Sequence, residues 1–444
     1  MVPSRFRAHL LKRTTREEAA MGKGAAPTDQ MSSPSTMDLD DAVIRLVRAD
    51  AHGVDVPRMN FLSGTTSDRV EAIILWPGTS PLLADVAMVF ERFGLRVADR
   101  DTLPLPEDLS GRAALHKFTF QAPQAWRSRS LSLVSEAFEA HALHGFEIDG
   151  YAKLILSGGL SWRDIVLLRA ASRFVRQAGL GLSESYVIDT LLRHSEFAES
   201  LVRYFGARFD PELDDRGTVV TEAVSSLREH LDAATTLDED RIMRSLESFV
   251  TACLRTNWYQ LDATGTPKPY ASFTLDSSTL ALTGPVVPYR EIYVYANDVE
   301  GIHLRSGAVA RGGLRFSDRP EDYRTEVLGL MKTQTVKNSP IVPVGAKGAF
   351  VRKNPNISPA EAYSTFIRGL LDVTDNIVDG RTVAPGATVT YDGPDTYLVV
   401  AADKGTASFS DLANTIALDA GYWLGDAFAS GGSSGYDHKA MGIT

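Results

Sequence analysis

From about Tyr270 onward the chain alternates short β-rich runs with helical stretches and glycine-rich turns, and this alternation constrains the fold most. SFTLD, REIYVYA and GIHLR come first, an apolar run Ile341–Val344 follows, and YLVVAA stands near the end. Strands separated by helices predict a sheet with helices packed on it, an α/β arrangement. Upstream the texture changes twice. Residues 128–260 read as nearly all helix, and residues 69–123 as a small unit mixing strand and helix. The expectation is a mixed α/β, multidomain chain with a disordered tail over 1–37, a small α/β domain over 38–125, a helical domain over 126–265 and an α/β domain over 266–444.

The tail is basic at its start and rich in Ser, Pro and Thr at its end, a composition that buries too little to fold. A short helical pattern with Ala42, Ile44, Leu46 and Val47 follows it. RVEAIILW has the β-branched, apolar run of a buried strand, and Pro77-Gly78 stops it. Leu82, Leu83, Val86, Val89, Phe90 and Phe93 then share one helical face, with Gly94 as the C-terminal stop. LRVADRDTL and ALHKFTFQA supply two further strands. This strand–helix–strand–strand order resembles the start of an ACT domain, a fold that implies amino-acid sensing. In the helical middle, Ser161 is placed to cap a helix and Gly179 to end it, and TLDEDRIMRSLESFVTACLRTNWYQ closes the series. The charged residues there are expected on solvated faces.

Composition excludes several classes. The net charge is −10 over 444 residues and no basic patch follows the first residues, which argues against a nucleic-acid partner. Cys253 is the single cysteine, so neither an intrachain disulfide nor a cysteine-based metal cluster can form. No run approaches the roughly 20 apolar residues of a membrane helix. His303 and His438 have no companion ligands at metal-binding spacing, so no metal site is expected. A cytoplasmic location is the expectation.

Chemistry concentrates in RGGLRFSDRPEDYRTEVLGLMKTQTVKNSPIVPVGAKGAF, Arg311 to Phe350. Gly312 and Gly313 follow Arg311 and let a substrate approach backbone donors. A helix is expected next, with Pro320 near its first turn and Asp318, Glu321 and Asp322 at its positive end. Gln334 and Lys337, three apart, leave one helix face, and Lys347 sits between glycines on a tight turn. Three cations close in sequence suit a small dicarboxylate, Arg gripping it with two prongs and Lys acting as a point charge. The buried strand YLVVAA ends in Asp403, at the carboxyl end where open α/β sheets place their active sites. Asp411 reads as a helix-start residue.

EVLGLMKTQTVKNSPIVPVGAKGAF, VVAADKGTASFSDLAN and LGDAFASGGSSGYDHKAMGIT together resemble the large, multidomain NAD-specific glutamate dehydrogenases, strongly over about 270–444. The resemblance implies that the last domain is the glutamate dehydrogenase substrate domain, with L-glutamate and 2-oxoglutarate as ligands and NAD as cofactor. Carried over by position, Lys347 is the catalytic lysine and Asp403 the proton shuttle. Arg311, with Gly312 and Gly313, holds the side-chain carboxylate, and Gln334 and Lys337 hold the α-carboxylate. Arg311 stands where smaller relatives have lysine, and Ala349 where the family often has a further glycine. No G-x-G-x-x-G turn occurs, so the chain reads as cut off before its dinucleotide-binding domain, with Thr444 as its nearest cofactor-binding candidate. The complete enzyme is expected to be a homo-oligomer. The alternative reading is an amino-acid-binding regulatory fragment without turnover.

Overall fold

The computed structural model describes residues 38–433 apart from 49–54, 64–67, 106, 108, 124–125, 127–129, 283–285 and 338–343. The expected tail over 1–37, most of the run Ile341–Val344, the candidate Thr444 and the discounted His438 lie outside the described residues, as do the side chains of Val47, Gln334 and Lys337. The chain forms two compact units, Met1–Ile165 and Val166–Thr444. The boundary expected at 265 therefore falls inside the second unit, which holds both helices and sheet.

In the first unit, α1 (Leu39–Arg48) precedes β1 (Arg58–Phe61), β2 (Arg69–Pro77), α2 (Leu83–Phe93), β3 (Arg96–Leu103), β4 (Ala113–Gln121), α3 (Ser130–His144) and α4 (Lys153–Gly158). The strands form an antiparallel sheet in the order β1-β2-β4-β3. A βαββαβ unit would place its last strand, after the second helix, beside β2. Here β1 takes that place from ahead of β2, a strand too short to stand out in the sequence. Val86, Phe90 and Phe93 of α2 are buried as its period demands, whereas Leu82 and Leu83 are 73% and 43% exposed. They fall at the helix start, where the face has not yet turned inward. Gly94 ends α2 in the left-handed conformation, at φ 89°.

The division between the units falls within the sequence of the next helix, α5 (Trp162–Gln177). Ser161 caps it, its Oγ accepting from the Asp164 amide at 3.2 Å. Next come α6 (Glu184–Arg193), α7 (Ser195–Phe209), α8 (Arg216–Leu231) and α9 (Leu237–Ala252). The helical pattern expected through Gln260 stops eight residues early: Cys253–Thr256 is a strand, β5. The expectation of solvated charges in this region also fails at Arg169, Arg208 and Glu239, all buried. Arg208 shows why: its guanidinium donates to the Thr251 and Cys253 carbonyls at 2.7 and 2.8 Å, satisfying the groups freed where α9 ends.

After β5 come β6 (Tyr270–Leu275), β7 (Arg290–Ala296), β8 (Val299–Arg305), β9 (Arg311–Phe316), α10 (Tyr323–Lys337), β10 (Ala346–Arg352) and α11 (Pro359–Leu371). A small hairpin, β11 (Asn376–Val378) with β12 (Arg381–Val383), leads to β13 (Val399–Ala402), α12 (Ser410–Asp419) and β14 (Ala429–Ser430). The main sheet runs β14-β13-β9-β10-β8-β7-β6-β5, parallel from β14 to β10 and antiparallel beyond. Ile292, Val294, Leu314, Phe350 and Val400 pack one face against Phe366, Ile367 and Leu370 of α11 and Ala413 and Ile416 of α12. On the other face Tyr293 meets Phe174 of α5, with ring centroids 5.3 Å apart, and Phe273 meets Phe249 of α9 at 5.2 Å. The helix α10 lies on that second face, anchored by Arg324 to the buried Glu291 at 2.6 and 2.8 Å.

This topology creates a crevice. From β9 the chain crosses through α10 to β10 on one side, and from the neighbouring β13 through α12 to β14 on the other. Connections that diverge from adjacent parallel strands leave a gap beyond their carboxyl ends.

Candidate active site

Asp403 follows the last residue of β13 and thus stands at that gap. The parallel register places Ala401 opposite Gly313, and Leu314 of β9 opposite Gly348 of β10. Side chains alternate between faces along a strand, so Gly313, Arg315, Lys347, Ala401 and Asp403 share the face turned to α10. Their neighbours Gly312, Leu314, Gly348 and Val400 belong to the other face.

Lys347 reaches across β9 and donates from Nζ to Asp403 Oδ2 at 2.9 Å. Both side chains are accessible but sheltered, at 20% and 14% exposure. Arg315 Nη2 donates to Asp403 Oδ1 at 3.2 Å, while Arg315 Nη1 donates to Glu326 Oε1 of α10 at 2.9 Å. Ser317 Oγ donates to Glu326 Oε2 at 2.7 Å. The turn itself is locked. The Lys404 amide donates to Asp403 Oδ1 at 2.7 Å, and Thr406 Oγ accepts from the Asp403 amide at 3.0 Å and donates to the Leu314 carbonyl at 2.7 Å. Burial alone would push the Asp403 carboxyl up. The hydrogen bond from Lys347, the Lys404 amide, the Lys347 charge and Arg315 outweigh it and hold the group below the usual carboxylate range.

Gly313 makes this crossing possible. A Cβ there would stand 2.9 Å from Asp403 Cβ and from the Ala402 carbonyl oxygen, and 3.2 Å from Asp403 Oδ2. Gly312 is glycine for a different reason, since a Cβ would collide with the Ala346 carbonyl of β10. Both glycines therefore have packing reasons within the sheet, beyond the substrate approach expected of them.

Two sequence expectations change in detail. Lys347 is the second residue of β10, not part of a tight turn, because Gly348 is wedged between Leu314 and Ile302 in the sheet. The helix begins at Tyr323, so Pro320 precedes its first turn. Asp411 does stand in the first turn of α12, where its Oδ1 accepts the Ser433 amide at 2.6 Å. Arg311 opens β9 and is exposed, on the same face as Arg315 by alternation. It lies about 7 Å along the strand direction from the level of Lys347 and one strand over. Gln334 and Lys337 belong to the last turn of α10.

The sequence reading missed Arg315, Glu326, Ser317 and Thr406. For Arg315 a signal existed: in RGGLRF it is four residues from Arg311, hence on the same face of a strand. Glu326 and Thr406 become visible only once α10 and the turn after β13 are placed. His303, discounted as a ligand, lies fully buried in β8. Among the described residues no group of three or more His, Cys, Asp or Glu side chains is arranged to hold a metal ion. Among them, too, no helix is long and apolar enough to cross a membrane.

Residues 226–444 match the family model described as bacterial NAD-glutamate dehydrogenase, catalytic domain, and residues 146–211 match glutamate dehydrogenase, helical motif 3. The chain belongs to the bacterial NAD-glutamate dehydrogenase family. The NAD-specific glutamate dehydrogenase of Pseudomonas aeruginosa is 44% identical over 391 residues, 83% of this chain and 24% of that protein. That of Mycobacterium tuberculosis is 43% identical over 464 residues, 96% of this chain and 27% of that protein. The one from Halomonas elongata is 43% identical over 377 residues, 82% and 23%. The chain thus spans about a quarter of the length of these glutamate dehydrogenases. The catalytic-domain model of the family includes β9, α10, β10 and β13, the elements around the Lys347–Asp403 pair.

Proposed function

We propose that this chain supplies the glutamate side of an oxidative deamination, L-glutamate to 2-oxoglutarate and ammonia, with NAD as hydride acceptor in the complete enzyme. The observation that carries the reading is the 2.9 Å contact of Lys347 Nζ with Asp403 Oδ2 at the divergence of β9 and β13. An ammonium and a carboxylate so placed suit the hydrolytic half of the reaction. Water adds to the carbon of the protonated imine while Asp403 accepts one of its protons. Asp403 passes that proton to nitrogen and takes up the remaining hydroxyl proton as the carbon–nitrogen bond breaks, so that ammonia leaves and the carbonyl forms. Lys347 stabilises the oxygen that becomes the keto group.

Arg311 holds the side-chain carboxylate in this proposal, with Gly313 leaving room beside it on the same face. Gln334 and Lys337 hold the α-carboxylate from the end of α10. The described residues do not fit a dinucleotide pyrophosphate. The turns after β2 and β13 carry one glycine each, Gly78 and Gly405, those after β9 and β10 carry none, and the Gly431-Gly432 pair after β14 opens no described helix. No contact to the cofactor is therefore assigned here, Thr444 included. A cytoplasmic setting and assembly into a homo-oligomer belong to the same proposal.

Calorimetric titration of 2-oxoglutarate tests the assignment. The wild-type chain should bind it, and Lys347→Ala should weaken binding at least about tenfold, near 1.4 kcal/mol. Undiminished binding by the Lys347→Ala chain would overturn the site and favour an amino-acid-binding regulatory unit elsewhere in the chain.

A further inference from the structure

Among the described residues Asp403 has three donors, and they divide its oxygens. Lys347 from β10 takes Oδ2, while Arg315 from β9 and the Lys404 amide take Oδ1. Arg315 is itself shared, because Glu326 of α10 holds its other nitrogen and Ser317 fixes the far oxygen of Glu326. We propose that Arg315 is a positioning residue for proton transfer: clamped by Glu326, it fixes one oxygen of Asp403 and leaves the other to Lys347 and substrate. This rests on the assignment of Asp403 as the proton carrier.

The geometry assigns the two cations different parts. Lys347 has one flexible ammonium and must leave Oδ2 to reach a substrate oxygen. Arg315 has a planar fork held at both ends and has no such freedom. When Lys347 departs, Arg315 and the Lys404 amide remain, so Asp403 keeps its charge and its orientation. The same clamp ties the proton carrier to α10, the helix that bears Gln334 and Lys337 in its last turn. Seating of the substrate on that helix and readiness of the base then depend on one guanidinium.

The charged groups that face Asp403 can be named element by element. β10 contributes Lys347, β9 contributes Arg315, and α10 contributes Glu326 through Arg315. On its own turn the Lys404 side chain is 70% exposed and lies 4.0 Å from Asp318. Of these, Arg315 is the cation that can be removed without touching a group that meets substrate.

The test is carbon-13 NMR of the whole chain with labelled aspartate carboxyls, the Asp403 signal being the one missing in Asp403→Asn. In the wild type its midpoint should lie below the ordinary carboxylate value. Arg315→Gln should raise it by roughly one pH unit, a single opposite charge at this distance being worth that much. Arg315→Lys should restore part of the shift. Glu326→Gln removes the competing acid and should leave the midpoint as low as in the wild type or lower.

A midpoint within about 0.3 unit of wild type in a folded Arg315→Gln chain overturns the proposal. So do equal rises in Arg315→Gln and Glu326→Gln, which would make the pair a mere tie between helix and sheet. Should Arg315→Gln not fold, Arg315→Lys decides alone: a measurable rise supports the positioning role and an unchanged midpoint removes it. Titration of 2-oxoglutarate into the same samples separates this from the functional assignment. Absent binding with intact Arg315 coupling sinks the function and spares the coupling; the converse sinks the coupling alone.

Discussion

At the scale of single residues, two glycines of the sheet separate function from packing. At Gly313 an added methyl would press on backbone and on Asp403, which cannot yield without moving the carboxylate that Lys347 and Arg315 hold. At Gly348 it would meet the tip of Leu314 at 2.5 Å and the Ile302 carbonyl at 3.0 Å, on the face packed by α11. Gly313→Ala should therefore cut 2-oxoglutarate binding about tenfold or more, whereas Gly348→Ala should cost about 1–3 kcal/mol of stability by overpacking. Calorimetry and urea unfolding on both variants check the contrast; equal effects on both readouts would refute it. His303 offers a pH test. Burial first, then repulsion by Arg305, lowers its pKa from the ordinary 6.5 to about 3. The folded state therefore refuses a proton that the unfolded chain accepts, so its stability is full above pH 6.5 and declines as pH falls towards 3. Between pH 6.5 and 5 the wild type should lose roughly 1–2 kcal/mol more than His303→Leu, measured by urea unfolding across that range. Parallel stability curves would show that the imidazole stays unprotonated in both states or charges in both. Lys347 and Asp403 were legible in the sequence because glycines and an apolar strand frame them. Arg315 was not singled out, since its partners come from α10 and from beyond β13, 11 and 88 residues away.

At the scale of elements, local pattern and long-range pairing divide the work. The helix that Ser161 was placed to cap stands where the sequence put it; Ser358, not singled out in the sequence, forms a full capping box with Glu361 at the start of α11. CLRT belongs to the segment TLDEDRIMRSLESFVTACLRTNWYQ that reads as the close of the helical region, yet it forms β5. Its strand state comes from pairing with β6 and from Arg255, which donates to Asp375 and Asp392 at 2.6 Å each. Those acids lie 120 and 137 residues away, beyond the reach of any local pattern. The attachment of α10 is another long-range device and yields a sharp prediction. Arg324 and Glu291 are 6% and 0% exposed, and each satisfies the other with two hydrogen bonds. Arg324→Met leaves a buried carboxylate alone and should cost about 3–5 kcal/mol, whereas the double variant Arg324→Met, Glu291→Met should recover most of it. Denaturant unfolding of the two variants reads this directly. A double variant no more stable than the single one would show that the pair does more than neutralise itself.

At the scale of the whole molecule, the division into two units revises what the sequence proposed. A helical domain ending at 265 looked separable because its pattern changes there, yet its helices cover one face of the main sheet. Phe174 of α5 packs on Tyr293, and Phe205 of α7 meets Phe273 with centroids 6.2 Å apart. Arg173 lies 3.2 Å from the buried Glu300, and Gln177 donates to the Pro320 carbonyl at 2.9 Å, just ahead of α10. The catalytic-domain match begins at residue 226, in the middle of α8, and so leaves all of these contacts on its far side. A chain of residues 226–444 would expose the aromatic face and lose the packing of Phe174 and Phe205, about 1.5–3 kcal/mol for each ring. Against a net stability of about 5–15 kcal/mol, that and the lost partner of Glu300 leave little margin. A chain starting at Leu160 keeps Ser161 as cap and α5 whole, and with them the entire second unit. It should unfold cooperatively and bind 2-oxoglutarate within about threefold of the 444-residue chain, while 226–444 should lack a cooperative transition. Thermal unfolding and calorimetry on the two shortened chains make the comparison. If 226–444 folds cooperatively and binds equally well, the helices over 166–225 are a removable cover, and the site needs only the sheet with α10, α11 and α12 to hold its shape.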